Sequence, residues 1–458
     1  MPVIVLFRRD LRLEANPALN AAIESGEVVI PVYLHDDNEN QPWRLGGASR
    51  WYLQQSLLKL EASLALRGHQ LLYLTGKSEQ DLISLAQGEQ VSTIFLNRVY
   101  EPSRIKRDKA LKRTCLKQGL TVNIYHDYSL FKPGTILNKS GLPYRVFTPF
   151  WRALSSYISD IGLPSLKNGG DLNNVEYANS KIGCTLNELN LLDKHQWHEK
   201  LHSHWSAGEV TAKKKWSSLL INLADYPENR NFPALSGTSG LSAALHFGEI
   251  SIGQMIHDLW PAMQGECGSQ LAGAAEALAR QLGWREFALN LLYDNPHSDQ
   301  YSLQGKFDQL GVWENNSDWL SSWQEGRTGI SIVDAGMQEL WETGIMHNRV
   351  RMVAASFLTK NLGVHWLHGA KWFWDTLVDA DLANNSMGWQ WVAGCGCDAA
   401  PFYRIFNPVR QAERFDPKNV YIDRWLIAQK SGTSPVIDLA KSRDQALIRY
   451  QMMKARSI

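Results

Sequence analysis

Between Asn384 and Pro408 the chain reads NNSMGWQWVAGCGCDAAPFYRIFNP: two adjacent asparagines, two tryptophans one residue apart, three glycines and almost no charge. Residues at i and i+2 point in roughly opposite directions on a strand or a helix. Trp389 and Trp391 can therefore serve two different sites. Upstream, in RQLGWREF, Gln281 and Trp284 share a helical face at i and i+3. In GIMHNRVRMVAAS, the residues Ile345, Asn348 and Met352 fall on one face by the same spacing, flanked by Arg349 and Arg351. An asparagine in such an apolar stripe must find a hydrogen-bond partner. At FPALSGTSGLSAALHFGEIS, Thr238, Ser239 and Ser242 precede an apolar run. Hydroxyl caps at a helix start leave backbone N–H groups where an anion is welcome. Each of these has a bland counterpart in a packed core or an ordinary capped helix; their coincidence is what points to a site.

The elements that must position these residues fall into two kinds. The runs 3–7, 28–36, 70–76, 92–98 and 121–127 are apolar and β-branched, with amphipathic stretches between them, which predicts βαβ units around a parallel, Rossmann-like sheet. No G-x-G-x-x-G follows the first strand, so that kind of dinucleotide site is not indicated. Residues 129–204 mix Pro, Gly and Asn with short apolar pieces and read as an interdomain connector. From 205 to 458 helical periodicity dominates, giving a larger all-α domain after an α/β domain at 1–128.

At 458 residues the chain is too long for one core. Its net charge of +1 confines any nucleic-acid affinity to a local basic patch. The 18 tryptophans suit either bulky cores or stacking on flat ligands. Five scattered cysteines imply no disulfide framework, and Cys395 and Cys397 read as small-residue packing rather than metal ligands. MPVIVLFRRDLRL is the reverse of a secretory signal, and no apolar run approaches a membrane span, which predicts a cytoplasmic protein.

The segment from Trp284 to Pro408, above all GWQWVAGCGCDAAPFYRIFNP, together with FRRDLRLEANPAL near the N-terminus, closely resembles the DNA photolyase/cryptochrome family, most of all a bacterial cyclobutane pyrimidine dimer photolyase of class I or III type. The resemblance implies an antenna domain followed by a helical FAD-binding domain. It assigns Tyr226, Thr238, Ser239, Leu241 and Ser242 to the FAD phosphates, and Asp379 and Asp381 to the ring edge and ribityl chain, with Arg351 paired to Asp379. Trp284 and Asn348 lie beside the flavin, and Asn385 faces flavin N5, where an amide suits an anionic reduced flavin. By the same resemblance, Trp389, Trp366 and Trp313 would form an electron-transfer chain, Trp391, Trp284 and Met352 would pack on a flipped thymine dimer in UV-damaged DNA, and Arg230, Arg349 and Arg404 would hold phosphates. A monomer is implied.

Departures bear on the substrate. Gln281 stands where dimer photolyases carry Glu, as in (6-4) photolyases, while Asn348 stands where (6-4) enzymes carry a histidine; Ile345 replaces a tryptophan. In NRVYEPSRIKRD, Arg104 stands where folate-binding relatives have a glutamate, so a second chromophore, deazaflavin or folate, stays open. The alternatives are a cryptochrome-type photoreceptor or a (6-4) photolyase. Asn385, Trp391 and a chain ending about fifty residues after IFNP argue against the first.

Overall fold

The structure is a computed structural model describing all residues except 36–42, 76–78, 164–165, 167–182, 193–195, 310, 315, 400–402, 427–433 and 456–458. Five strands, β1 (Val3–Phe7), β2 (Val29–Leu34), β3 (Leu72–Leu74), β4 (Thr93–Asn97) and β5 (Thr121–Tyr125), form one parallel sheet in the order β3-β2-β1-β4-β5. Helices α1 (Pro17–Glu24), α2 (Gly47–Ala65), α3 (Glu79–Gly88) and α4 (Pro102–Lys117) supply the crossovers. All of β1 is buried, which is why its sequence is a continuous apolar run rather than an alternating one. The strand order reverses beside β1, and the crevice past the carboxyl ends of such strands is where α/β sheets take ligands.

The stretch read as connector contains α5 (Phe147–Ile161). Its Phe147, Phe150, Trp151, Leu154 and Ile158 join the same apolar cluster as Leu278, Leu282 and Phe287 of the helical part. An amphipathic face of that width must be covered, so this segment packs as part of the helical body rather than spanning a gap. The helical part continues with α6 (Glu209–Ile221), α7 (Tyr226–Asn229), α8 (Ser242–Phe247), α9 (Ile252–Met263), the long α10 (Ser269–Asp294), α11 (Ser317–Gln324) and α12 (Ser331–Thr343). Then come α13 (Asn348–Ser356), prolonged by a π-helical turn at Phe357–Asn361, α14 (Trp366–Thr376), α15 (Leu382–Ala393), α16 (Pro408–Phe415), α17 (Val420–Trp425) and α18 (Leu439–Ala455).

Two helix starts differ from the sequence expectation. Ile345 lies before α13, so it does not share a helical face with Asn348 and Met352; the helix opens at Asn348, capped by His347 Nδ1, which accepts from Arg349 N at 3.2 Å. Helix α8 has Leu241 as its cap residue with no side-chain cap bond, so the Ser and Thr hydroxyls do not cap it. Ser239 Oγ only accepts from Leu241 N, at 3.4 Å. The tight SGTSGL turn points those hydroxyls elsewhere.

FRRDLRLEANPAL fastens the two parts together. Leu11 N donates to Phe247 O and Arg12 donates to Gly248 O, while Asn97 of β4 donates to Asp10. Arg8 pairs with Asp108 of α4 at 2.5 Å, and Arg9 with Glu101 at 2.7 Å. Charge-assisted contacts of this kind are shorter and stronger than neutral ones.

Candidate functional site

Helices α10, α13, α14 and α15 enclose a cavity of about 420 Å³. From α10 come Gln281 and Trp284; from α13, Asn348, Arg351 and Met352. Asp379 and Asp381 enter from the loop before α15, and Asn385, Trp389 and Trp391 from α15 itself, with Arg230 at the edge. A second cavity of about 240 Å³ shares Gln281, Arg351, Asp379 and Asp381 with the first, and adds Tyr226, Ser239 and Ser242. Residues scattered over 160 positions of sequence thus converge on two adjoining spaces.

Within them, Arg351 Nη2 donates to both oxygens of Asp379, at 3.1 and 3.0 Å, and Arg351 Nε donates to Met346 O. Asp381 caps α15 by accepting from Asn384 N and Nδ2, and also accepts from the Tyr128 hydroxyl. Burial by itself raises the Asp381 pKa, but the His246 hydrogen bond and the cations Arg285 and Arg9 hold it well below the carboxylate range. His246 also has its pKa pushed down, by burial first and then by Arg9. Its Nε2 meets no partner in the protein while its ring borders the smaller cavity, a donor or acceptor available to a ligand.

Asn385 Nδ2 donates to Ala370 O at 3.0 Å, which turns its amide oxygen toward the cavity. Asn348 is exposed on the rim, its side chain donating to Met352 Sδ at 3.8 Å, so it is a wall residue rather than a buried polar member of an apolar stripe. Trp284 stacks on Phe147 of α5, ring centroids 3.7 Å apart and nearly coplanar. Trp391 is half-buried with its Nε1 donating to Asp398 O.

Trp389 is 3% exposed and lies against Gly369 of α14, where a methyl group would sit 2.1 Å from the indole. One turn earlier on α14, Trp366 is fully buried and donates to Ser302 Oγ at 3.1 Å. The His365 ring is 5.7 Å from Trp366 and 5.0 Å from Trp313. All three tryptophans thus border α14 or its cap residue His365.

Six expected residues sit outside these cavities, Trp313 and Trp366 among them. Leu241 is fully buried in the core, so only its backbone is available to a phosphate. Thr238 borders neither cavity. Arg349 turns to Asn231 and to the Phe415 ring. Arg404 lines a separate cavity behind Trp391. Conversely, Arg9, Tyr128, His246 and Arg285 surround Asp381 and were not singled out by sequence, although Arg9, His246 and Arg285 lie inside FRRDLRLEANPAL, FPALSGTSGLSAALHFGEIS and RQLGWREF; Tyr128 lies in no such motif. Phe147 carried none.

At the carboxyl ends of β1 and β2, Arg8, Arg9, Arg104 and Arg107 border a third space with Tyr33 and His35. Its cations suit an anionic group on a ligand.

A helical domain whose cavity is lined by a buried arginine–aspartate pair and tryptophans defines a class that binds a flat ligand with a polar edge, and comparison with known proteins gives the family. Residues 278–451 match the family model for the FAD binding domain of DNA photolyase, and residues 3–166 that for DNA photolyase. The chain is 38% identical to a deoxyribodipyrimidine photo-lyase of Agrobacterium fabrum, over 99% of this chain and 98% of the relative. It is 33% identical to Cryptochrome-1 of Arabidopsis thaliana, over 92% of this chain and 62% of that protein. A crystal structure of a class III photolyase from Agrobacterium tumefaciens superposes with a TM-score of 0.91 at 36% identity, covering 99% of this chain and 98% of that one. This chain belongs to the DNA photolyase/cryptochrome family.

Proposed function

We propose that this protein is a deoxyribodipyrimidine photo-lyase, which uses light to split cyclobutane pyrimidine dimers in UV-damaged DNA. The observation that carries the reading is one cavity with Trp284 and Trp391 at its side, Gln281 and Asn348 on its wall, and Asn385 and Asp379 deeper in. The residues fit FAD: the Arg351–Asp379 pair and Asp381 offer fixed charge to a ring edge, and the open N–H groups before α8, with Ser239 and Ser242, suit its phosphates. Bound reduced FAD supplies, when excited by blue light, the electron that opens the cyclobutane ring.

The chain's own work is positional. Trp284, held flat by Phe147, and Trp391 offer stacking surfaces worth about 1–3 kcal/mol per base, which offsets the few kcal/mol of extruding a poorly stacked dimer. Gln281 donates a hydrogen bond to the dimer's carbonyl as negative charge develops there. Asn385 presents an amide oxygen, which accepts a hydrogen bond and delivers no proton. Trp389, Trp366 and Trp313 carry an electron inward from the surface when the flavin must be reduced. Arg230, Arg349 and Arg404 serve the DNA backbone, and the protein acts as a cytoplasmic monomer.

The test illuminates photoreduced protein with oligothymidine carrying cyclobutane dimers and follows recovery of the thymine absorbance band, with a dark control. Gln281 is the one residue favouring a (6-4) lesion, so that substrate runs in parallel. Recovery on the (6-4) lesion alone overturns the substrate; recovery on neither, with normal flavin photoreduction, favours a cryptochrome.

A further inference from the structure

Trp284, Trp391 and Val392 are a shared wall. On the side away from the main cavity they border another of about 190 Å³, closed by Lys360, Gly394, Asp398 and Arg404. Lys360 belongs to the π-helical turn that prolongs α13, a local irregularity of the kind that often marks a functional position. Its side chain is 1% exposed, yet no carboxylate pairs with it among the described residues. The amine instead lies 3.1 Å from the centroid of the Tyr403 ring. A methyl group on Gly394 would come within 3.0 Å of Nζ, and Gly394 has φ +88°, so the backbone there makes room for the amine. Burial holds the amine well below the ordinary lysine range. A cation-forming group kept out of water without an anion is a standing cost to the fold, which a bound anion would relieve. Arg404 is exposed on the outer side of the same space. Asp398 is its one carboxylate; burial raises its pKa and Arg404 opposes that.

We propose that this cavity receives a backbone phosphate of a nucleotide flanking the dimer, with Lys360 as inner donor and Arg404 as outer donor. The inference rests on the DNA reading above. Trp391 then acts on both sides, carrying the extruded bases on one and screening the phosphate from the flavin cavity on the other. Phosphate contacts of this sort set register on the strand without reading sequence.

The experiment measures dark binding by full-length, FAD-loaded protein to a thymine-dimer dinucleotide, which lacks flanking phosphates, and to the same dimer inside a longer single strand, across a salt series. Lys360→Met is expected to weaken the long strand about tenfold while changing the dinucleotide less than about twofold. The slope of log affinity against log salt should fall by about 0.7, one phosphate on a single strand. Lys360→Arg should recover most of the loss. Arg404→Gln, an exposed change that leaves the core intact, should lower the slope in the same way. Equal weakening on both substrates, or an unchanged slope, overturns the inference alone and makes Lys360 a prop for the Trp391 wall. Wild-type protein that binds neither substrate overturns the DNA reading and this inference with it. Inorganic phosphate at fixed ionic strength tests the other source of the same chemistry: competition with the long strand in wild type but not in Lys360→Met supports an oxyanion site. A rise in Tm with phosphate alone, and no effect of Lys360→Met on the long strand, means a free-phosphate site and overturns it.

Discussion

Arg230 Nη2 donates to the side-chain oxygen of Gln281 across 2.9 Å, and Gln281 Nε2 donates to Ala277 O at 3.1 Å. The amide is thereby held one way round, with its oxygen spent on the arginine and one N–H left for the cavity. Arg230, expected from sequence at DNA phosphates, is in the structure also the orienting partner of Gln281. Gln281→Leu is expected to lower the number of dimers split per absorbed photon about tenfold or more, since a hydrogen bond to a charged group contributes about 1.5–3 kcal/mol. Flavin absorbance should not change. An unaltered repair yield in chemically reduced protein would remove Gln281 from the reaction.

Asp381 shares with Glu101 and Glu286 the balancing of Arg9 and Arg285 where the two parts of the chain meet. Asp381→Asn keeps an acceptor for the α15 cap but removes the charge. Breaking one side of a buried ionic group costs about 3–5 kcal/mol. The expected result is a clear drop in Tm together with loss of FAD on gel filtration. A variant that melts like wild type and keeps its flavin would show that His246 and Tyr128 suffice.

Trp366→Phe leaves an aromatic ring in the core but removes the indole and its bond to Ser302. Photoreduction of oxidised flavin with an external reductant should slow by at least an order of magnitude, while protein reduced chemically beforehand repairs at the wild-type rate. Equal photoreduction rates in the two proteins count against the route through α14.

His347 and Glu339 give opposite pH signatures. Burial lowers the His347 pKa to about 4 from an ordinary 6.5. Between those values the unfolded chain binds a proton that the folded one refuses, so stability is full above pH 6.5 and falls as pH drops toward 4, with a limiting slope of about 1.4 kcal/mol per unit. Glu339, which accepts from the Tyr421 hydroxyl and from His347 N, is raised by burial to about 7. There the folded state holds the extra proton, and stability falls as pH rises from about 4.5 to 7. In denaturant titrations across pH, His347→Asn should flatten the acid loss while keeping a cap for α13, and Glu339→Gln should flatten the loss on the alkaline side. Parallel curves for wild type and both variants would contradict these assignments.

What the chain determined by itself is local. Five apolar, β-branched runs with amphipathic stretches between them read as a buried parallel sheet, and all five strands lie within those runs. Period and composition also marked α10, α13 and α14, because an apolar face repeats within a few residues. The residue pairs Gln281/Trp284 and Trp389/Trp391 were legible for the same reason. Tertiary structure decided what depends on distant segments. The Asp381 charge is set by Arg9, Tyr128, His246 and Arg285, which come from four stretches far apart in sequence. Trp284 owes its orientation to Phe147, inside a segment whose Pro, Gly and Asn content read as a connector. Ile345 and Asn348 matched a helical period, yet a histidine cap between them ended the register. Lys360 looks like any surface lysine in sequence. Only the packing of the π-helical turn against Gly394 and Tyr403 buries it, because desolvation is a property of neighbours and not of spacing.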